Sequence, residues 1–319
     1  MRIGSLDIVN PVILAPMAGI TDLPYRLIMK RFGAALVFTE MISANGLFFN
    51  GTGTIELLRS SPEERPLGVQ LFGDDAGHLA AAARQVEPLA DLIDLNCGCP
   101  VRKVVGSGAG SALLRDPAKV AGIVAAVRRV TSLPLTIKIR SGWDNDQRNY
   151  LEIARLAEME GVDAITLHPR TKSQMFGGRA NWQEIAALKA QAKIPVIASG
   201  DIFTADDALA VMAQTGCDAV MIARGGYGNP WLVRDILARL EGRTLPAPTA
   251  AERLAMAGEH FALFLDTYGP GRTLGHMRKH LCWYTHGLDH AADFRQRINQ
   301  ARSVGELQDL LHDFTAHTA

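Results

Sequence analysis

The stretch LTIKIRSGWDNDQRNYLEIARLAEMEGVDAITLHPR, residues 135–170, decides the fold of this chain. It contains two short apolar runs, at 135–140 and 164–170, and between them a segment with helical periodicity. Strands that are buried on both faces of a parallel sheet have this near-continuous apolar character, and a helix is their usual connection. The stretch therefore predicts a strand, a crossover helix and a second, parallel strand.

The same alternation continues in both directions from this stretch. Eight short apolar runs bounded by turn residues occupy positions 12–17, 36–40, 67–73, 92–98, 135–140, 164–170, 195–201 and 219–225. Alternating strands and helices imply right-handed crossovers, and eight units favour closure into a (β/α)8 TIM barrel over an open sheet. Capping residues predict one helix that opens at Asp116-Pro117 and another that runs from Thr204 to near Gly216.

Residues 41–66 are the irregular part of this pattern. They contain several residues that interrupt regular structure, namely Gly46, Gly51, Gly53, Pro62 and Pro66. We predict a long loop there with only a short helix.

After Gly242 the pattern changes. RTLPAPTAAE, at 243–252, is typical of a linker, and no further strand signal follows it. Helices are predicted at 250–268, 271–287, 292–303 and 304–317. The chain is therefore predicted to have a barrel domain at 1–242 and a small, all-helical C-terminal domain at 243–319.

Composition excludes several classes of protein. Apolar residues make up 48% and charged residues 21% of the chain, which indicates a folded domain with a sizeable core. Asn10, Pro11 and Pro16 interrupt the N-terminal apolar run, so we expect no targeting or membrane segment and a cytoplasmic protein. The four cysteines have neither the density of a disulfide scaffold nor the spacing of a zinc site, so they predict no metal.

A net charge of zero means that any contact with nucleic acid has to come from a local patch. Between Arg272 and Arg302 there are six basic and two acidic residues, and seven of the nine histidines fall between 260 and 317. A patch for RNA and an ordinary solvated helical face are both open interpretations. The aromatic residues of this region, Tyr268, Trp283 and Tyr284, are expected in the core rather than as platforms for bases.

In a barrel of this kind the active site lies at the carboxyl ends of the strands. The alternation in TIKIR directs the ammonium of Lys138 into the barrel mouth, where an anionic partner must offset its desolvation. Glycines after the last two strands, in ASGD at 198–201 and ARGGYGNP at 223–230, predict a phosphate site with Arg224 as a donor. Tight turns, phosphorylated sugars and pyridoxal phosphate are alternative explanations of these loops.

The other unusual element is DLNCGCPVRKVVGSGAGSALL at 94–114. A CxC pair lacks the further ligands of a metal site. A cysteine at a strand end beside Arg102 and Lys103 can act as a nucleophile or general acid, and a buried structural thiol is the equal alternative.

The chain resembles the tRNA-dihydrouridine synthases in motifs that occur in the family's order along the whole barrel. These motifs are APMAGITD (15–22), TEM (39–41), VQLFG (69–73), DLNCGCPVRKV (94–104), GSALL (110–114), KIRSGW (138–143), LHPRT (167–171), IASGDI (197–202) and ARGGYGNPW (223–231). The tail RKHLCWY (278–284) is similar to the bacterial B-type branch. The resemblance implies FMN-dependent reduction of the C5=C6 bond of specific uridines in the tRNA D-loop, by the B-type pattern uridine 17, with NADPH or NADH as donor. A flipped uridine in the barrel mouth and no obligatory protein partner are part of this expectation.

The resemblance also implies roles for particular residues. The residues expected to contact FMN are Pro16, Met17, Ala18, Gln70, Lys138, His168, Ser199, Gly200, Asp201, Ala223 and Arg224. Among them, Gln70 and Lys138 would bond the polar edge of the ring system, and the residues from Ser199 onward would hold the ribityl chain and phosphate. Those expected to meet the uracil and nearby RNA phosphates are Asn96, Arg140 and Arg170, with His168 beside them.

Cys99 matches the family's general acid, whose thiol would protonate C5 of the uracil. Its two basic neighbours, Arg102 and Lys103, are expected to lower its pKa unless they face RNA phosphate instead. Three positions depart from the family pattern: Cys97, Ser199 and Ala223. FMN binding is still expected, and Cys97 is expected to be a passive thiol. There are two alternatives. The first is a flavin barrel that acts on a free pyrimidine, and the helical domain argues against it. The second is an RNA-binding protein without catalysis, and Lys138 argues against it.

Overall fold

The structure, a computed structural model, describes residues 1–318, so Ala319 at the end of the predicted helical domain lies outside it. Within that range the strands are β1 (Arg2–Ile3), β2 (Leu6–Asp7), β3 (Val12–Leu14), β4 (Val37–Phe38), β5 (Ile42–Ser43), β6 (Leu67–Phe72), β7 (Leu92–Cys97), β8 (Leu135–Gly142), β9 (Ala164–Thr171), β10 (Val196–Ser199) and β11 (Ala219–Ile222). Eight of them lie side by side in the order β3-β11-β10-β9-β8-β7-β6-β4, and every pairing is parallel. A parallel bridge between Ile13 and Leu36 joins the two ends. The predicted (β/α)8 barrel is confirmed.

The helices of the barrel lie between and after these strands. They are α1 (Leu23–Arg31), α2 (Ala44–Phe48), α3 (Thr52–Glu56), α4 (Ala76–Val86), α5 (Arg102–Val105), α6 (Pro117–Arg128), α7 (Tyr150–Met159), α8 (Trp182–Lys189), α9 (Ala205–Thr215) and α10 (Trp231–Leu240). The predicted caps are confirmed, since Asp116 accepts from the amide of Lys119 at 3.0 Å and Thr204 from that of Asp207 at 3.1 Å. These side chains satisfy amides that the first helical turn leaves free.

The segment 41–66 is more regular than predicted. It contains β5, which pairs with β6, and the two short helices α2 and α3, so the prediction of a single short helix was wrong. The N-terminal hairpin of β1 and β2 was not predicted either. Strands of two residues are too short to show a periodic pattern.

The hairpin closes one end of the barrel. Its residue Ile3 and the following Ile8 belong to one buried cluster with the interior residues Ile13, Phe38 and Met221. Because this cluster fills the amino end of the barrel, a ligand can enter only at the carboxyl ends of the strands.

A buried ion pair ties the segment 41–66 to the first helix. Arg26 and Glu64 are 1% and 0% exposed, and Nε of Arg26 lies 2.5 Å from Oε2 of Glu64. The same guanidinium donates to the backbone oxygens of Thr21 and Arg59 at 2.7 and 2.8 Å. Arg26 therefore fixes the backbone at the start of α1.

The C-terminal part is helical, as predicted. It consists of α11 (Ala250–Tyr268), α12 (Pro270–Tyr284), α13 (Ala291–Gln300) and α14 (Val304–Thr318). Two of these helices are shorter than predicted, since α12 ends at Tyr284 and α13 ends at Gln300. The helices share a buried cluster that includes Phe261, Leu281 and Tyr284, so the prediction of Tyr284 as a core residue is confirmed. None of the helices within residues 1–318 combines the length and apolar character needed to cross a bilayer.

The helical part touches the rim of the barrel directly. The ring of Trp283 on α12 stacks on Tyr227, which follows β11, with 4.2 Å between the ring centroids. At the next residue, Gly228, φ is +60° and an added Cβ would lie 2.5 Å from the carbonyl carbon of Trp283. The two backbones approach too closely there for any residue but glycine.

Candidate active site

A cavity of about 340 Å³ opens at the carboxyl ends of the barrel strands, a volume within the usual range for small-molecule sites. Most residues of the predicted site line it: Pro16, Met17, Ala18, Asn96, Cys99, Lys138, Arg140, His168, Ser199, Gly200, Asp201, Ala223 and Arg224. These residues come from six different strands or the loops that follow them. Gln70 and Arg170 are not among its lining residues and are fully buried beside it.

A chain of hydrogen bonds connects the barrel interior to Cys99. Nε2 of Gln70 donates to Asp94 at 2.6 Å, and Nδ2 of Asn96 donates to Oε1 of Gln70 at 2.8 Å. Oδ1 of Asn96 then accepts from the backbone amide of Cys99 at 2.9 Å. The other carboxyl oxygen of Asp94 accepts from the hydroxyl of Thr136 at 2.6 Å. Because a carboxylate only accepts hydrogen bonds, Asp94 fixes the orientation of both amides and, through them, the backbone of Cys99.

Cys99 keeps its proton near neutral pH. Burial raises the pKa of its thiol, while the amide of Val101 and the cations of Arg140 and Lys138 act in the opposite direction with less effect. Of the two alternatives for Arg102 and Lys103, the lowering of this pKa is not supported, because both lie exposed on α5 and are not among the groups that shift it. A protonated thiol at the cavity wall is suited to act as a general acid. Cys97, in contrast, is a free thiol packed in the barrel core.

The cavity has an excess of buried positive charge. Burial and the neighbouring Arg140 lower the pKa of Lys138 to about 8. Burial and Arg170 lower the pKa of Arg140 to about 10. Burial and the surrounding cations also hold the pKa of His168 well below its usual value, so its imidazole is neutral. Cations that repel one another in a desolvated cavity favour an anionic ligand.

The end of the cavity at β10 and β11 has the properties of a phosphate site. At Gly200 φ is +109° and an added Cβ would lie 2.8 Å from Cδ2 of His168, so a side chain here would collide with the imidazole. Both carboxyl oxygens of Asp201 accept from Arg170 at 2.8 Å, and Asp201 is therefore a partner of Arg170 rather than a free anion. Arg224 lies 3.6 Å from the same carboxylate and is more than a third exposed, which leaves its guanidinium available to a phosphate.

Some residues of the site were missed by the sequence argument. Asp94 precedes Asn96 by two positions, so the alternation along a strand could have assigned it to the same inward face. Phe176 gave no such signal, because it lies in a loop between β9 and α8. Its ring lies under the guanidinium groups of Arg140 and Arg224, at 5.3 and 4.9 Å from the ring centroid.

Comparisons with known proteins agree with this geometry. The family model described as dihydrouridine synthase matches residues 13–318. A tRNA-dihydrouridine synthase B from Pseudomonas aeruginosa is 42% identical over 306 residues, which cover 95% of this chain and 92% of the relative. A probable tRNA-dihydrouridine synthase from Rickettsia prowazekii is 38% identical over 319 residues, which cover 98% of this chain and 97% of the relative.

A solved structure of 2-naphthoyl-CoA reductase has a similar fold, with a TM-score of 0.59 at 14% sequence identity. The similarity covers 76% of this chain and 52% of the reductase chain, so this protein spans about half the length of that one. At this level of identity the likeness concerns the fold alone.

Proposed function

The chain belongs to the dihydrouridine synthase family, and from this membership we propose that it reduces the C5=C6 bond of specific uridines in the tRNA D-loop with FMN and NAD(P)H. The reduction of uridine in tRNA to dihydrouridine by a flavin-dependent oxidoreductase is the activity of this family and of this chain. The D-loop as the target region, FMN as the flavin and NADPH or NADH as the donor are the finer parts of the proposal. The cytoplasm, which contains tRNA, is the proposed location.

The residues of the cavity fit a flavin mononucleotide. A phosphate has a cationic partner in Arg224, and the turn at Gly200 beside it carries no side chain. Lys138 is half-buried beside Arg140 and needs an anion, so we assign it to the polar edge of the flavin ring system. Both ends of Gln70 are already bonded, to Asp94 and Asn96, so we propose that Gln70 positions the site rather than contacting the flavin.

When bound, the reduced flavin would supply the hydride that reaches C6 of the uracil. Cys99 is then proposed to donate its thiol proton to C5. The buried and protonated state of this thiol supports the assignment, as does its fixed backbone. Arg140 and the neutral ring of His168 line the same cavity and are proposed to contact the uracil.

We propose residues 1–242 as the catalytic domain and 243–319 as the domain that grips tRNA. The stacking of Trp283 on Tyr227 supports this division of roles, because Tyr227 also lines the catalytic cavity. A helical part that contacts the wall of the cavity can orient a large substrate relative to the reacting atoms. A free pyrimidine would need no such surface.

The observation that carries the proposal is the single cavity that holds a protonated Cys99 together with Lys138 and Arg224. The test is a map of dihydrouridine at nucleotide resolution in tRNA from cells with and without the gene, together with an absorption spectrum of the purified protein. We expect flavin absorbance in the protein and loss of dihydrouridine at one D-loop position. An unchanged map with a yellow protein would instead favour an enzyme acting on a free pyrimidine.

The role of Cys99 has its own test. Cys99→Ala should leave flavin bound and abolish most turnover, whereas Cys282→Ala, at a half-buried thiol on α12, should leave turnover unchanged. Normal turnover in the Cys99→Ala protein would refute the assignment of the acid.

A further inference from the structure

A second cluster of potential ligands lies between the barrel and the helical part. Asp22, at the start of α1, faces His276 and His280, which both lie on α12. One ligand atom from each of the three residues lies within 4.8 Å of the others. Asp22 and His280 are 5% and 0% exposed, and the side chain of His276 is 18% exposed, so the cluster is largely buried but open to water at one side.

The polar atoms of this cluster lack hydrogen-bond partners among the described residues. These atoms are Oδ2 of Asp22, Nε2 of His276, and both ring nitrogens of His280. Nε2 of His276 lies 2.7 Å from Oδ2 of Asp22, but the two groups are not aligned as a hydrogen bond. Leaving several buried polar atoms unpaired is costly, and a bound ion would provide a partner for three of these four atoms.

Asp22 can provide a ligand without losing its structural role. Its Oδ1 accepts from the backbone amide of Tyr25 at 3.1 Å and caps α1, whereas Oδ2 is the unpaired oxygen that faces the histidines. His276 and His280 are four residues apart on one helix, which is the spacing that places two imidazoles on the same face. The three side chains therefore form an N2O donor set.

We propose that Asp22, His276 and His280 bind a divalent transition metal ion, specifically Zn²⁺, with the fourth position left to water. Two imidazoles and one carboxylate are a known zinc donor set. With bonds of about 2.0–2.1 Å, the ligand atoms of a tetrahedral site lie about 3.3 Å apart, which small side-chain rotations would reach. The spacing of the four cysteines predicted no metal, and this site uses none of them.

The neighbouring charges are compatible with a cation. Glu40 is acidic and Lys279 is basic, and both are bonded to the backbone of Gly19, the first to its amide and the second to its carbonyl oxygen. Together with Asp22 these groups carry one excess negative charge when ionised, which would offset half the charge of a divalent ion.

The ion would join the helical part to the loop that contacts the flavin. Asp22 ends the stretch APMAGITD, and the hydroxyl of Thr21 accepts from the amide of Met17, which lines the catalytic cavity, at 3.0 Å. The inferred role is structural, so it does not depend on the activity proposed above.

The experiment uses the full chain without a polyhistidine tag, stripped with a chelator and then reloaded with Zn²⁺. Metal content per chain is measured after desalting for the wild type and for Asp22→Asn, His276→Gln and His312→Gln. Asn is as good an N-cap as Asp, so Asp22→Asn keeps α1 capped. His312 is exposed on α14 and is the matched control. We expect about one Zn²⁺ per chain in the wild type and control, and at least a tenfold loss of affinity in the two ligand variants.

Two further readouts on the wild type keep the proposal testable if a variant fails to fold. Zn²⁺ should raise the Tm of the wild type, and Co²⁺ in its place should give visible bands of a four-coordinate site without thiolate charge transfer. The proposal is overturned if the wild type retains no Zn²⁺, if a thiolate band assigns the metal to cysteine, or if both ligand variants retain as much metal as the control.

Discussion

Because of the hydrogen-bond chain from Asp94 to Cys99, we expect Asp94→Asn to lower the rate of the chemical step without lowering the Tm. Asn at position 94 keeps one acceptor in place of the two carboxylate oxygens, so its Nδ2 must face either the hydroxyl of Thr136 or Nε2 of Gln70, which is also a donor. Where Nδ2 faces Gln70, either this contact is lost or both amides turn over, and then Nδ2 of Asn96 faces the amide of Cys99. A buried donor without a partner costs about 1–3 kcal/mol. If this cost appears in the transition state, the rate of the chemical step falls about 5- to 150-fold.

Stability should behave differently. Burial raises the pKa of Asp94 from 3.8 to about 6, which corresponds to a cost of about 3 kcal/mol for keeping it ionised at neutral pH. Because the folded pKa lies above the unfolded one, the contribution of Asp94 to stability is greatest below the unfolded pKa of 3.8 and is lost as the pH rises through about 6. Asp94→Asn removes this ionisation cost, so its Tm at pH 7 should equal or exceed that of the wild type.

The assay is single-turnover oxidation of the reduced enzyme by tRNA, followed by flavin absorbance in a stopped-flow instrument. Thr136→Val is the control, because it removes a donor to Asp94 without reversing the direction of the chain. We expect the rate to fall in Asp94→Asn and to change little in Thr136→Val, with tRNA affinity unchanged in both. A lowered Tm with an unchanged rate in Asp94→Asn would refute the reasoning and leave Asp94 a purely structural residue.

Three other perturbations have defined outcomes. Flavin affinity should weaken as the pH rises through about 8, because Lys138 then loses its charge, whereas Lys138→Met should bind flavin weakly at every pH. Titrations of flavin fluorescence at pH values on both sides of 8 check this, and an equal pH dependence in the variant would contradict the role of Lys138. Glu64→Gln leaves the buried guanidinium of Arg26 without its counter-ion and should cost about 3–5 kcal/mol, so an unchanged urea midpoint would count against it. Gly200→Ala places a Cβ against the imidazole of His168 and should reduce flavin affinity at least about tenfold. Gly258→Ala, with open space around it, should leave flavin affinity unchanged, and equal affinities in the two variants would contradict this prediction.

The barrel could be predicted from the sequence because its strands are buried on both faces. Runs such as LTIKIR are apolar almost throughout, and each is long enough to stand out from its flanking turns. The two-residue strands β1, β2 and β5 carry no such signal, since their existence depends on a neighbour that offers free backbone groups. The helix ends after Tyr284 and Gln300 were missed for a related reason, because local propensity continues past the point where packing ends.

The catalytic cavity was predictable to a similar degree. Its lining residues end apolar runs, and the geometry of a barrel brings the ends of its strands together. What the sequence did not contain was the state of those residues. The exposure of Arg102 and the bonding of both ends of Gln70 depend on the folded environment, and so does the position of Asp22 beside His276, which lies far away in the chain.

The close approach of Gly228 to Trp283 has a consequence for protein engineering. On the proposed division of roles, exchanging the helical segment between relatives is a route to enzymes that modify other positions. The backbone of the barrel loop and that of α12 fit each other so tightly that even one added methyl group would clash. A working chimera must therefore take the loop around Gly228 and the helix around Trp283 from the same parent protein. A graft that begins at the linker after Gly242 would take the two sides of this contact from different proteins.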